Sequence, residues 1–180
     1  GFFPVKAFVQ EDFDRAAPRG VGNIKAAGNY AAGLMGDMRG KAKGYPICLY
    51  LDPGEHAYID EFGTSNFVAI TKDNKYVTAD SPSILPSITN KSLQAIAGDF
   101  GLTVERRRIH VTELRDFAEV GACGTAVVIT PVQSILHGET LYSFGKEGEA
   151  GEMLTKLYKE IQAIQYGEIE DRHGWMMPVR

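Results

Sequence analysis

Lys25 is the residue with the most chemistry open to it. It stands in GVGNIKAAGNYAAGL, residues 20–34, among small neighbours, Ala26, Ala27 and Gly28, that let another molecule approach the backbone, and Tyr30 follows five positions on. A primary amine so placed can attack a carbonyl as a nucleophile. The same pattern also suits a packed helix start carrying a solvated lysine. A second candidate is Glu61, in the polar run DEFGTSN at 60–66. It reads either as a turn residue or as a carboxylate able to pair with a ring nitrogen and hold it protonated. Two further stretches could hold an anion. Pro86-Ser87-Ile88-Thr89 leads into a helix, whose free N–H groups and positive dipole end favour negative charge, with Thr89 as the expected N-cap. Gly124-Thr125-Ala126 sits between strand-like arms, where small residues let amides converge. Either threonine can equally be a simple structural residue.

A lysine, a carboxylate, a tyrosine and two anion-binding turns are together what pyridoxal 5'-phosphate requires: an amine for its aldehyde, an acid for its ring nitrogen and a cradle for its phosphate. Other chemistries find less support. Gly20 and Gly22 start a Gly-x-Gly-x-x-Gly pattern that Lys25 breaks, and the P-loop pattern is missing. Cys48 and Cys123 lie far apart without ligand-spaced partners, so no metal is expected, and their apolar or small neighbours predict buried thiols in a reducing compartment. Arg106-Arg107-Arg108 reads as a solvated strand face rather than an anion site.

The elements that must position these residues fit one domain. The 180 residues carry 44% hydrophobic and 23% charged side chains, enough for a core without disulfides or metals. A formal net charge of −4 argues against nonspecific nucleic-acid binding, and no stretch is long and apolar enough to span a membrane, so cytoplasm is the default. A strand over 5–9 and an acidic, Pro/Gly-containing loop over 10–22 deliver Lys25. Tyr30, Leu34 and Met38 recur at helical spacing over 29–43 and are expected to pack inward. Strands follow at 47–51, 57–59, 67–71 and 75–79, with residues 60–66 as a polar break and a turn at Asp73-Asn74. Leu93, Ile96, Ala97 and Phe100 form the face of a helix closed by Gly101. A strand at 103–109, a short helix at 112–117, arms at 119–124 and 126–130, a hairpin over 133–144, and a last helix over 148–165 with Met153, Leu157, Ile161 and Ile164 on one face complete the chain. The expected class is α/β, with a mixed, partly barrel-like sheet and outer helices.

Four motifs in order carry a resemblance. GVGNIKAAGNYAAGL, YIDEFGTSNF, SILPSITNKSL and ACGTAVVITPV are similar to the lysine, glutamate, phosphate-helix and second phosphate motifs of branched-chain amino acid aminotransferases, fold-type IV pyridoxal phosphate enzymes. The match runs nearly end to end and corresponds to their C-terminal domain. The closing EIQAIQYGEIEDRHGWMMPV resembles the branched-chain enzymes rather than the D-amino acid aminotransferase or aminodeoxychorismate lyase branches. The resemblance implies that Lys25 is the Schiff-base lysine, that Tyr30 bonds the ring's phenolic oxygen and that Glu61 pairs with the pyridinium nitrogen. Thr64 would support the glutamate or the ring environment; Ile88, Thr89 and Thr125 would hold phosphate. Gly124, Thr125 and Ala126 would also face the substrate carboxylate. The implied reaction moves an amino group between leucine, isoleucine or valine and 2-oxoglutarate.

The resemblance also implies what lies elsewhere. Whole enzymes of the family have an N-terminal domain that supplies a phosphate-binding arginine and part of the substrate site, and they are expected to be homodimers. The chain starts Gly-Phe-Phe-Pro-Val and reads as an excised piece, inactive alone, with apolar residues near Phe2 and Phe3 exposed where the missing domain belongs. The positions of the mammalian redox Cys-x-x-Cys fall on Val127 and Thr130, so no such thiol switch is expected. The alternatives are a noncatalytic domain that keeps a phosphate-ligand site, or a sibling fold-type IV enzyme.

Overall fold

Alternating apolar residues in the strands bury both faces of the sheet, and this dictates the architecture. The computed structural model describes residues 2–179. Strand β1 (Val5–Gln10) pairs in parallel with β2 (Ile47–Leu51), which meets β3 (Ile59–Phe62) in antiparallel fashion. Strand β4 (Ser65–Thr71) pairs with β3 through Glu61–Asn66 and Phe62–Ser65, and along most of its length with β7 (Phe117–Gly124). Strand β8 (Val128–His137) joins β7 to β1, so the ring β3-β2-β1-β8-β7-β4 closes on itself. Strands β5 (Lys75–Ala79), β6 (Thr103–Arg107) and β9 (Thr140–Ser143) extend the sheet outside that ring. The expected mixed, partly barrel-like α/β sheet is therefore present.

Successive strand residues point to opposite faces, and β4 shows the division. Phe67 and Ala69 join the core with Ala7, Leu49, Phe62, Val120 and Ile135. Val68 and Ile70 face a second core against two helices, α2 (Ile88–Asp99) and α3 (Glu152–Gln165). Leu93, Ile96 and Ala97 of α2 are buried as expected, while Phe100 is partly exposed beyond its end. In α3 the buried face is Leu154, Leu157, Ile161 and Ile164, with Met153 only partly covered. The α3 N-terminus has no cap of its own; Glu119 of β7 accepts the Met153 and Leu154 N–H groups at 2.9 and 2.8 Å. A 3-10 turn, Val111–Asp116, stands where the short helix was expected.

Four expectations need correction. Helix α1 (Ala27–Ala42) turns its Tyr30, Leu34 and Met38 stripe outward, at 47%, 57% and 57% exposure, and buries Asn29, Gly33, Gly36 and Gly40 instead. The reason is closeness: a Cβ on Gly36 would lie 2.6 Å from the Tyr50 hydroxyl and one on Gly40 2.9 Å from the Cys48 sulfur, so only a glycine face fits against the barrel. The run 60–66 is not a polar break, because Asp60, Glu61 and Phe62 belong to β3 and only Gly63-Thr64 turns the chain. Thr89 is not the helix cap; the Ser87 side chain accepts the Asn90 N–H at 3.1 Å. Of the two N-terminal aromatics only Phe3 stands free, while Phe2 stacks on Tyr158 at 4.2 Å.

Candidate active site

Glu61 is the least free of the candidate residues. It is 3% exposed in the middle of β3, and both carboxylate oxygens are occupied. Oε1 is ion-paired with the Arg15 guanidinium, Nη2 lying 2.6 Å away, and accepts the Leu85 N–H at 3.0 Å, while Oε2 accepts from the Asn66 amide at 2.9 Å. Burial pushes the Glu61 carboxyl up to about 7, while the Arg15 charge, the Leu85 N–H and the Asn66 amide pull it back. Each contact is a donor or a cation facing the carboxylate, and together they favour the ionised form against the burial.

Arg15 was hidden in the loop at 10–22 and is the main residue missed from sequence. Its Nη2 also donates to the carbonyls of Gly22 and Ser83, at 2.9 and 2.6 Å, tying the Lys25 loop, the 81–85 loop and Glu61 to one nitrogen. A Cβ at Gly22 would collide with the Ser83 carbonyl, so that junction requires glycine. A buried carboxylate needs a compensating cation, and an arginine set directly after Asp12 and Asp14 was the available signal.

The other candidates converge on a single cavity of about 430 Å³. Lys25, Tyr30, Glu61, Thr64, Ile88, Gly124, Thr125 and Ala126 all line it, although they are spread from one end of the sequence almost to the other. Thr89 does not; it is buried in the first turn of α2, and Ser87 takes its place on the wall. Asn66, Leu85, Cys123 and Thr130 also line it, none of which sequence reasoning singled out for the site. A Cβ on Gly28 would meet nothing within 4 Å, in keeping with the clearance inferred around Lys25. The Asn29 side chain donates to the Val21 and Ile24 carbonyls, both at 2.9 Å, and so fixes the loop that carries the lysine.

Two features suit this cavity to an anion. The first-turn N–H groups of a helix have no intrahelical acceptor, and Ser87 satisfies that of Asn90, leaving those of Ile88 and Thr89 at the end of α2 nearest the cavity. On the same cavity, the turn Thr125-Ala126-Val127 is exposed and is followed by Val128 at φ 62, an unusual backbone conformation for a β-branched residue. Such strain tends to be kept at functional turns. Cys48 and Cys123 are both buried and free, and burial pushes each thiol up to about 12. The arginine run is solvated and ion-paired, with Arg106 on Asp80, Arg107 on Glu105 and Glu113, and Arg108 on Glu55. Among the described residues no helix is long and apolar enough to cross a membrane.

Fold and site together define a class: a closed mixed-sheet barrel with outer helices, in which one cavity unites a lysine, a buried carboxylate and two anion-favouring turns. Residues 4–135 match the amino-transferase class IV family, and the chain belongs to that family. It is 47% identical over 173 residues to the branched-chain-amino-acid aminotransferase of Helicobacter pylori (strain J99 / ATCC 700824), covering 96% of this chain and 50% of that protein. It is 44% identical over 178 residues to that of Haemophilus influenzae (strain ATCC 51907 / DSM 11121 / KW20 / Rd), covering 96% and 52%. Among solved structures, the branched-chain amino acid aminotransferase from Thermobaculum terrenum in its PLP-form (holo-form) superposes with a TM-score of 0.81 at 29% identity, over 93% of this chain and 52% of that one. The chain thus spans about half the length of the curated relatives it matches.

Proposed function

We propose that this chain is the cofactor-bearing C-terminal domain of a pyridoxal phosphate-dependent branched-chain aminotransferase, with Lys25 as the residue that bonds the cofactor. The observation that carries the reading is the single cavity in which Lys25, Tyr30, Glu61 and two anion-favouring turns meet. The residues fit the group by their own chemistry. Glu61 presents a carboxylate ion-paired with Arg15 at 2.6 Å, and the α2 N-terminus offers unsatisfied amides. When bound, pyridoxal phosphate supplies an aldehyde that captures amino groups and a ring that draws electrons from the adjacent carbon.

The residues then divide the work. Glu61 keeps the ring nitrogen protonated, and Arg15 keeps Glu61 ionised enough to do so. Tyr30 donates to the ring's phenolic oxygen, and Thr64 supports Glu61 from the turn beside it. The amides of Ile88 and Thr89 and the hydroxyl of Thr125 hold the phosphate, while Gly124, Thr125 and Ala126 turn toward the substrate carboxylate. With the cofactor bound, the Lys25 amine would serve as the general base and acid that takes a proton from the substrate Cα and returns it.

The substrates are leucine, isoleucine or valine with 2-oxoglutarate, in a cytoplasmic homodimer whose N-terminal domain completes the site. The relatives that match over nearly all of this chain, at about twice its length, support that division. The 180 residues alone are then expected to turn over little or not at all. Borohydride reduction after adding pyridoxal phosphate, followed by peptide mass analysis, should place one adduct on Lys25. Lys25→Ala should lose it; labelling spread equally over surface lysines in the unaltered chain rejects the assignment.

A further inference from the structure

A second cavity, of about 370 Å³, lies behind β3 and takes no part in the proposed reaction. Successive strand residues face opposite ways, so Asp60 lines this cavity while its neighbour Glu61 lines the first. Asp60 is 3% exposed, and its Oδ1 is buried without a hydrogen-bond partner among the described residues. Buried polar atoms are rarely left in that condition. Burial pushes its carboxyl up to about 6, against a smaller pull from the Ser81 side chain. The other two acids on the cavity are already matched. Asp52 accepts the Glu55, Ala57 and Tyr58 N–H groups, and Asp80 pairs with Arg106 at 2.8 Å.

The cations divide in the same way. Arg108 lies over the Tyr58 ring at 3.6 Å and pairs with Glu55 at 2.6 Å. Arg19 also lines the cavity but is exposed, and no carboxylate among the described residues pairs with it. The cavity walls also include Pro18, Pro53, Tyr58 and Pro82. One carboxylate oxygen lacking a donor is too little for Ca²⁺ or Mg²⁺, which require about six oxygen ligands. A simple anion would meet Asp60 unfavourably.

We propose that this cavity binds a free apolar α-amino acid as its zwitterion, with the ammonium on Asp60, the carboxylate toward Arg19 and the side chain against the proline and tyrosine walls. The proposal does not depend on how the first cavity is read. The two cavities nonetheless share a part: Ser83 lines the second, and its carbonyl holds the same Arg15 nitrogen that holds Glu61.

Titration calorimetry on the cofactor-free chain tests the proposal, with L-leucine, 3-methylbutylamine and 4-methylvalerate as probes. L-leucine should bind saturably, and the amine and the acid, each lacking one charge, at least about tenfold more weakly. Asp60→Asn and Arg19→Ala should each weaken leucine binding by at least about tenfold. Lys25→Ala, which alters only the first cavity, should leave it unchanged. Arg19 is exposed, so its variant decides the matter even if Asp60→Asn fails to fold. The proposal is overturned if leucine does not bind up to its solubility limit, if its binding is lost in Lys25→Ala but kept in Arg19→Ala, or if the amine binds as tightly as leucine.

Discussion

Replacing Arg15 with leucine should destabilise the chain in a way that depends on pH, because the guanidinium does two separable jobs. It satisfies the carbonyls of Gly22 and Ser83, a role indifferent to pH, and it compensates Glu61, a role that is not. Losing the first, with two buried carbonyls left short of a donor, costs about 2–3 kcal/mol. The second follows from linkage. In the unaltered chain burial raises the Glu61 carboxyl from its ordinary 4.5 to about 7, so the folded state binds more protons across that window. Stability therefore falls as pH rises through the window and levels off above it. Without Arg15 the folded carboxyl titrates higher still, and the decline continues at about 1.4 kcal/mol per pH unit. The penalty of Arg15→Leu should thus grow from about 2–3 kcal/mol near pH ~6 to about 4 kcal/mol near pH ~8. Urea unfolding followed by far-ultraviolet circular dichroism at both pH values measures it. In a Glu61→Gln background the growth should vanish. An equal penalty at both pH values with Glu61 present would show that Arg15 acts only through the carbonyls, and the electrostatic account would fall.

Four further outcomes follow from local packing. Gly36→Ala should cost at least about 2 kcal/mol by urea unfolding, since its Cβ would lie 2.6 Å from the buried Tyr50 hydroxyl. Gly98→Ala, where a Cβ meets nothing within 4 Å, should instead raise stability by about 0.5–1 kcal/mol. Ser87→Ala should remove a cap worth about 1 kcal/mol, whereas Thr89→Ser should change thermal stability much less because Ser87 supplies the cap. Glu119→Ala should lower unfolding stability by about 2–3 kcal/mol through loss of two charge-assisted hydrogen bonds at the head of α3.

What the sequence revealed depended on whether a residue's role is local. Strand β2, the turn at Asp73-Asn74 and the apolar face of α3 came out close to their observed places, because periodicity and turn chemistry act over a few neighbours. The α1 stripe was legible as a pattern but not as a direction. Three buried glycines carry no hydrophobic signal, yet they decide which side can approach the barrel. Thr89 and Ser87 are both good caps, and only the helix start distinguishes them. Arg15 escaped notice because it lies 46 positions from Glu61 and no local rule joins them. Lys25, Tyr30, Glu61 and the 124–126 turn were recognisable through motif resemblance, and the fold does bring them to one cavity.

The seam between β3 and β4 has a consequence for folding. It consists of the Glu61–Asn66 and Phe62–Ser65 pairings, and one of these joins Glu61 to the residue whose amide holds it. Opening that pairing would also break the Asn66 hold on Glu61, so loss of the seam and loss of this wall of the first cavity go together. A ligand confined to that cavity would bind only the closed state, so each tenfold excess over its dissociation constant would add about 1.4 kcal/mol to the stability of the whole barrel. A partly unzipped barrel would exchange its β3 and β4 amides and lose the ligand with the same opening free energy.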